Sequence, residues 1–564
     1  MLKDLNKRLW ALLPISLAAW STSIFYGVLP KIMQDEYIYS SQARNLPFSQ
    51  HGLSNYLFSL VMNTTTLCDK SFYSCAKFLN SIMFVLGVLF VFLIAYKFLS
   101  AQWAAFAASV TALSPLAVQV SFFMPETMYF MAMTAIFWLA ITAVEKQRVS
   151  LWLATGAALG AASLVKPHAI FLLPALILFT VIILTRSYPK QRFKVLATVI
   201  AQTTVFFFAK LSIGYALAGA GGLRVFGGYG SPADNLNRLS VNLSESTTSP
   251  QVVTENSLSG VELFLSVLSS HLFVHISTVV VLGAIPVFLG IRILLRVLKS
   301  PEDAVTPLSA FYLLLLLQLL SFLLLVPFFE AYATATGENL SQRIILRYYE
   351  FLIPLILIGT LLANRFVAPN KTPRIIEALV TTFLSGFLVF AFTELFESRY
   401  SDSVTFSGTS EIPGVLVILC TTLVIGYWVW AFYPSAGVTF IGRFALPILL
   451  VSSFWSSSTY LIQTTSEDAY FGYAGREASE LLGSVNGSSI IVVGDSRVAA
   501  FTTKFWIDKA RIRDLIIQPS SFPILETTRL GESEYAVILG DISLQGLFEV
   551  LSAGDGYQII RISD

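Results

Sequence analysis

Long apolar runs dominate this chain, and they limit its possible folds more than any other feature. A helix that crosses a bilayer needs about 20 predominantly apolar residues. The candidate spans lie at 10–30, 80–99, 102–119, 125–144, 150–165, 168–186, 195–218, 271–294, 307–332, 348–364, 375–396, 413–433 and 438–461. Only 12% of the residues are charged, about half the usual fraction of a soluble protein. We therefore predict an α-helical polytopic membrane protein with about 13 transmembrane helices.

The distribution of lysine and arginine predicts the orientation of these helices, because short cytoplasmic loops are enriched in both residues. Four short, basic turns are "EKQR" (145–148), "RSYPKQRFK" (186–194), "RILLRVLK" (292–299) and "NRFVAPNKTPR" (364–374). The loops on the other side are 31–79, 219–270, 333–347 and 397–412, and they contain few basic residues. This alternation predicts a multi-pass inner or plasma membrane protein whose N-terminus is cytoplasmic.

The last part of the chain differs in composition from the rest. Of the 70 charged residues, 22 lie in the final 99 positions. Strand-like runs at 489–494, 514–518, 535–540 and 557–562 alternate with helical patterns. We predict two domains, a transmembrane domain over 1–465 and an extracytoplasmic α/β domain over 466–564.

Ionisable and aromatic residues of unusual placement gather at the outer ends of the predicted spans. Charged groups near lipid depth are costly and often functional. The candidates are Asp35 and Glu36 after the first span, Glu126 at the start of the fourth, Lys166 and His168 between the fifth and sixth, and Arg343, Arg347, Tyr348 and Tyr349 before the tenth. Because all of these residues are predicted on the outer side of the membrane, we predict that they form one extracytoplasmic site.

Each candidate also has a structural interpretation. Glu126 follows Pro125, and an acid at a helix start complements the helix dipole. Lys166 is suited to reach the membrane interface with its long side chain, and Arg347 with its neighbouring tyrosines is typical of an interfacial anchor. Asp35 and Glu36 also suit a solvated helix end.

The chemistry of these groups favours transfer of a group from a lipid phosphate. Adjacent residues on a helix point about 100° apart, so Asp35 and Glu36 are suited to separate roles, one as a general base and the other as a binding group. Cationic side chains opposite them suit a phosphate leaving group. The sequence contains no phosphate-binding loop of the nucleotide-hydrolase type, so an activated substrate has to arrive already attached to lipid.

The segments "QDEYIY", "SPLAVQVSFFMPETMYFMAM" and "RYYEFLIPLILIG" resemble the GT-C superfamily, and in particular its protein O-mannosyltransferase and lipid A aminoarabinose transferase branch. This resemblance covers roughly residues 1–366. It implies a polyprenyl-phosphate-linked sugar as donor, transfer with inversion, a first-loop Asp matching Asp35 as base, and acidic positions matching Glu36 and Glu126.

The predicted partners are membrane lipid, the lipid-linked sugar donor and a glycan, lipid or protein acceptor, with no nucleic acid. The resemblance leaves the use of a divalent metal open. The donor phosphate-binding role of Lys166, His168, Arg343, Arg347 and Tyr348 is instead inferred from charge and sidedness.

Other functions remain as alternatives to transfer. A lipid-linked oligosaccharide flippase or exporter needs charged groups through the bilayer, where Lys210 is the clear basic candidate. A scaffold that recruits partners through its tail is the third hypothesis. An esterase site at Ser496 in "VVGDSRVAAF" is rejected, because the tail has no histidine to act as base, and Ser496 is predicted to cap a helix. Cys68 and Cys75 are predicted either to form a disulfide or to be two buried thiols.

Overall fold

The structure is a computed structural model that describes residues 2–29, 34–225, 260–299, 305–335, 340, 342–366, 372–396, 402–403, 413–465, 469–517 and 524–562. Its first nine α-helices are α1 Leu2–Ser23, α2 Gln34–Asn45, α3 Tyr56–Asn63, α4 Phe72–Tyr96, α5 Ala101–Ala112, α6 Glu126–Lys146, α7 Val149–Ala162, α8 Leu173–Ser187 and α9 Arg192–Ala218. They are followed by α10 Gly260–Lys299, α11 Pro307–Ala335, α12 Ile353–Leu362, α13 Thr372–Phe390, α14 Pro413–Phe432, α15 Pro434–Phe440, α16 Leu446–Thr464, α17 Tyr470–Leu481 and α18 Arg497–Ile507.

The helical, membrane-spanning architecture is confirmed. Within the described ranges, eight helices are long and apolar enough to cross a membrane, or nine if one bent pair is a single span. Three further predicted runs fall on shorter apolar helices, at Leu9–Ser23, Val149–Ala162 and Leu416–Phe432. The count of 13 therefore remains a prediction, while every predicted run overlaps a helix.

Proline explains two of the departures from straight spans. The run at 102–119 consists of α5 and a 3-10 segment, Pro115–Ser121, which meet at 47°. Proline cannot continue the hydrogen bonding of α5, and it restricts the residue before it. The run at 348–364 begins with short 3-10 turns and becomes α-helical only at Ile353, with Pro354 in the first turn. Its candidate site residues therefore lie in irregular backbone.

Two glycines allow close packing between α7 and α9. A Cβ atom at Gly156 would lie 2.4 Å from the carbonyl oxygen of Gln202, and one at Gly160 would lie 2.4 Å from that of Phe206. Such contacts are too short for any larger residue, so these small residues let the backbones of the two helices approach. This packing holds the helix that ends just before Lys166.

The end of α1 is held by a buried lysine. Lys77 donates a hydrogen bond to the carbonyl oxygen of Phe25 at 2.9 Å and another to that of Val28. Both carbonyl groups belong to the turn that follows α1, so the ammonium group stabilises the point where the chain leaves this helix. Sequence reasoning did not identify Lys77 for this role.

The first predicted outer loop, 31–79, contains helices and a disulfide in its described part, 34–79. Cys68 and Cys75 are bonded to one another, which decides between the two predicted alternatives. Cys420, the remaining cysteine, is buried.

The tail contains the predicted strands. They are β1 Ile490–Gly494, β2 Arg513–Ile516, β3 Ile524–Glu526, β4 Tyr535–Leu539, β5 Ser543–Gln545, β6 Phe548–Gly554 and β7 Tyr557–Ile562. Five of them form a sheet in the order β2-β1-β4-β7-β6, with β1 parallel to β2 and β4. The predicted α/β fold of the tail is confirmed, whereas the domain boundary adjoins 466–468, which lie outside the described residues.

One residue of the tail confirms a sequence prediction about its local role. The Ser496 hydroxyl accepts a hydrogen bond from the backbone N–H of Ala499 at 3.5 Å, as an N-cap residue of α18 does.

The tail lies against α2 through its helix α18. Arg44 and Asp508 form an ion pair at 2.6 Å, and the side-chain nitrogen of Asn45 donates to the same carboxylate at 2.9 Å. The rings of Phe505 and Trp506 pack on Phe72 at centroid distances of 5.2 and 5.9 Å. The helix that carries Asp35 and Glu36 is thus supported by the tail.

Candidate active site

Asp35 and Glu36 lie in the first turn of α2, and their carboxylates face different surroundings. The Asp35 carboxylate is 44% exposed and pairs with the Arg347 guanidinium at 3.0 Å. Glu36 is fully buried, and its carboxylate accepts the backbone N–H of Phe123 at 2.8 Å. Because neighbouring helical positions point apart, one acid reaches the site while the other fixes α2 against the backbone between the 3-10 segment and α6. A solvated helix end does not describe Glu36.

Glu126 begins α6 and forms a buried ion pair with Lys166. The carboxylate and the ammonium group are 2.9 Å apart, and their side chains are only 8% and 4% exposed. Burial lowers the pKa of Lys166, and the adjacent Glu126 carboxylate opposes that shift. Lys166 therefore does not extend to the membrane interface, because its ammonium group is buried in the protein beside Glu126.

Arg347 and Tyr348 connect these two ion pairs. The Lys166 ammonium lies 4.9 Å from the centre of the Tyr348 ring, and the ring of His168 packs on the same tyrosine at 4.3 Å. A tyrosine face attracts a cation through its ring electrons. The irregular backbone before α12 thus places Tyr348 between a cation and an imidazole, which a regular helix of interfacial anchors would not require.

Arg343 is held apart from this group. Its guanidinium binds the Asp402 carboxylate through two hydrogen bonds of 2.9 and 2.6 Å, and this contact raises the pKa of Arg343. The carbonyl of Asp402 also accepts the backbone N–H of Arg347 at 2.9 Å. Arg343 and Asp402 therefore position Arg347, and the structure pairs Arg343 with a carboxylate instead of bringing it into the cavity described next.

A small internal cavity lies beside the two ion pairs. Glu126, Lys166 and Arg347 line it together with Gln119 and Glu350. Within the part of the chain that the structure describes, the Oε2 atom of Glu126 is buried and has no hydrogen-bond partner. A buried acceptor in this state is unfavourable unless it meets a donor, so the cavity is suited to bind a polar group.

Sequence reasoning missed a second polar cluster close to the first. His271, His275 and Glu330 are completely buried, and their ligating atoms lie within 4.8 Å of one another. The signal was present, since two histidines four residues apart occur in an apolar run and share one helix face. The glutamate in another apolar run completes the cluster, and its pairing with the histidines is not readable from spacing.

Residues 56–209 match the family model described as dolichyl-phosphate-mannose-protein mannosyltransferase. The predicted resemblance to the protein O-mannosyltransferase branch of the GT-C superfamily is confirmed over this segment. The matched segment includes Glu126, Lys166 and His168, whereas Asp35 and Arg347 lie outside it. No curated protein matches the sequence.

Two solved structures align with most of this chain at low similarity. ArnT from Cupriavidus metallidurans in the apo state has a TM-score of 0.44 and 12% identity, over 98% of this chain and 97% of that one. The second is the archaeal oligosaccharyltransferase AglB from Archaeoglobus fulgidus in complex with an inhibitory peptide and a dolichol-phosphate. Its TM-score is 0.44 and its identity 10%, over 96% of this chain and 69% of that one.

Proposed function

We propose that this protein is a membrane glycosyltransferase that moves a sugar from a polyprenyl-phosphate-linked donor to a hydroxyl acceptor outside the cytoplasm, with inversion at the anomeric carbon. The acceptor is a glycan, a lipid or a protein. The family match supports glycosyl transfer in general. The observation that carries the proposal is the Asp35–Arg347 pair, which joins an acid that is 44% exposed to a cation that is 15% exposed.

Asp35 is the proposed general base. An inverting transfer forms one bond between the acceptor oxygen and the anomeric carbon while the bond to the donor phosphate breaks. A carboxylate beside the acceptor hydroxyl takes its proton during this step. Of the two adjacent acids, Asp35 is suited to this role because its carboxylate is 44% exposed, while Glu36 is fully buried.

Arg347 and Lys166 are the proposed partners of the donor phosphate. The departing phosphate carries negative charge, and fixed cations stabilise that charge in a site from which water is largely excluded. The guanidinium is also suited to bind two phosphate oxygens at once. A bound donor would therefore compete with Asp35 for Arg347, which would release the Asp35 carboxylate to act as base.

The proposed site faces the extracytoplasmic side. The Cys68–Cys75 disulfide supports this orientation, because such bonds persist in oxidising compartments and are rare in the cytosol. The basic turns at 145–148, 186–194 and 292–299 support the same orientation from the other face.

We assign the tail, 466–564, to a supporting and acceptor-side role. Its helix α18 contacts α2, which carries Asp35, through the Arg44–Asp508 ion pair. An acceptor that binds the tail would therefore lie near the base. The transmembrane part, 1–465, would hold the donor.

The direct test is transfer of radiolabelled sugar from polyprenyl-phosphate donors by the purified protein in lipid nanodiscs. We expect incorporation into an acceptor fraction of cell-envelope material and loss of that incorporation with Asp35→Asn. A matched control is Glu145→Gln, which changes a carboxylate in the turn 145–148, on the face opposite the proposed site. Undiminished transfer by Asp35→Asn would remove Asp35 as base, and absence of transfer from every polyprenyl-phosphate sugar by the wild-type protein would contradict the proposal.

A further inference from the structure

Three buried side chains from two membrane helices meet behind the segment that carries Arg347. The Nδ1 atom of His271 and the Nε2 atom of His275 each lie 2.8 Å from the same oxygen of Glu330, Oε2. The two histidines are on α10 and the glutamate is on α11, and all three are 0% exposed. Two imidazoles and a carboxylate thus converge on one point inside the protein.

This set of donors is the one that zinc prefers. Zinc is bound by imidazole nitrogen and carboxylate oxygen at about 2.0–2.2 Å, and two histidines with one glutamate form a known three-residue ligand set. Because the ligating atoms lie within 4.8 Å of one another, a small cation between them can contact each after slight outward movement. A water molecule suffices for the fourth position of a tetrahedral ion.

Neighbouring groups orient the three side chains in the way that outer partners orient the ligands of metal centres. The other ring nitrogen of His275, Nδ1, is hydrogen-bonded to the Tyr349 hydroxyl. Metal-binding histidines commonly use their second nitrogen in this way, which fixes the ring orientation. The second oxygen of Glu330, Oε1, accepts the backbone N–H of Ile345 at 2.6 Å. Both ligands are therefore oriented by partners outside the cluster.

These partners connect the cluster to the candidate active site. Ile345 and Tyr349 flank Arg347 by two residues on either side, in backbone that forms no regular α-helix. Such backbone has few hydrogen bonds of its own to hold it in place. The cluster therefore anchors both ends of the short segment that presents the guanidinium to Asp35.

We propose that His271, His275 and Glu330 bind a divalent transition-metal ion, with zinc as the favoured ion, and that this ion fixes the segment Ile345–Tyr349. The ion adds positive charge beside the Glu330 carboxylate, which both imidazoles already contact, and buried charges are stabilised by pairing or by a bound metal. It acts on transfer only through the position of Arg347 and Tyr348, so the three ligands are positioning residues. This site is separate from the acids of α2 and α6.

The test is the metal content of the protein, purified through a tag that contains no histidine and without chelators. Elemental analysis by plasma mass spectrometry should find about one zinc ion per chain, and removal with a strong chelator should lower the melting temperature. Zinc chloride should restore that temperature. These measurements need no transfer assay, so the metal site and the proposed function can fail independently.

Variants identify the ligands. His275→Ala and Glu330→Gln should each hold roughly a tenth or less of the wild-type zinc, because each removes one of the three proposed protein ligands. Tyr349→Phe keeps the ligands but loses the hydrogen bond to His275, and its zinc affinity should be about 10-fold weaker. His51→Asn changes another buried histidine, outside the cluster, and should hold as much zinc as the wild type.

Two outcomes would overturn the proposal. The first is a wild-type protein that holds no zinc, cobalt, nickel, manganese or iron after incubation with each ion and shows no change in melting temperature. The second is full zinc content in His275→Ala and Glu330→Gln, which would locate the ion elsewhere. The first outcome needs only the wild-type chain, so it remains decisive even where a variant does not fold.

Discussion

Two polar clusters flank the segment from Ile345 to Tyr349, and they differ in access. In the pair that joins Asp35 to Arg347, the carboxylate is 44% exposed. In the triad of His271, His275 and Glu330, every member is 0% exposed. Asp35 and Arg347 are 312 positions apart in the sequence. The triad instead joins two neighbouring membrane helices, α10 and α11.

This difference indicates a division of labour. A group that meets a substrate has to be reachable, and a group that holds backbone in place benefits from exclusion of water, which strengthens its electrostatic interactions. Changes to the exposed pair should therefore affect transfer more than stability. Changes to the closed triad should affect stability and metal content first.

The largest effect is expected from Asp35→Asn. We predict a transfer rate lower by about 10²–10⁴-fold, the usual contribution of a general base. The melting temperature should change little, because a half-exposed ion pair contributes about 0–1 kcal/mol to stability. Initial rates and thermal melting of the same preparation measure both. A large fall in melting temperature would give Asp35 the structural role that we assign to the triad.

Glu126→Gln tests the buried ion pair of Glu126 with Lys166. Removing one partner of a buried pair leaves Lys166 without its counter-charge and should destabilise the protein by about 3–5 kcal/mol. The double variant Glu126→Gln with Lys166→Met removes both charges and should recover most of that loss. Denaturant-dependent melting of the three proteins measures the difference. Equal stability of the single and double variants would show that the pair is not coupled.

Arg347→Lys should weaken donor binding, because lysine keeps the charge but loses the planar fork that binds two phosphate oxygens. We expect the KM for the lipid donor to rise about tenfold, which corresponds to about 1.4 kcal/mol. Arg343→Lys is the matched control, since Arg343 binds Asp402, and its KM should change less. A larger rise in KM for Arg343→Lys than for Arg347→Lys would instead locate the phosphate site at Arg343.

The smallest effect is expected at the tail. Arg44→Ala removes the ion pair with Asp508, whose side chains are 5% and 23% exposed, and such a partly exposed ion pair contributes about 0.5–1 kcal/mol. Proteolysis of the tail should become about two- to fivefold faster. Lys70→Ala removes a pair with Glu480 whose side chains are 75% and 63% exposed, and should leave the rate unchanged. Equal rates of tail proteolysis in the two variants would contradict the view that the Arg44–Asp508 pair holds the tail on α2.

Hydropathy and residue alternation predicted the elements of this fold, because burial in lipid or in a sheet imposes a pattern on consecutive residues. The runs at 126–146 and 307–335 and the strand at 490–494 were readable for that reason. Side-chain partners were not readable. Asp35 was singled out as an acid and Arg347 as a cation, but their contact depends on the irregular backbone before Ile353. The pairing of His271 with Glu330 likewise depends on how α10 packs on α11.

The central claim is that the exposed pair receives a lipid-linked sugar phosphate. A structure of the protein in nanodiscs, determined by electron cryomicroscopy with a polyprenyl-phosphate sugar bound, tests it most directly. The account predicts that the phosphate lies within hydrogen-bond distance of Arg347 and that Asp35 faces the anomeric carbon. A donor phosphate bound at the cytoplasmic ends of the helices, or an Asp35 carboxylate turned away from the sugar, would contradict it.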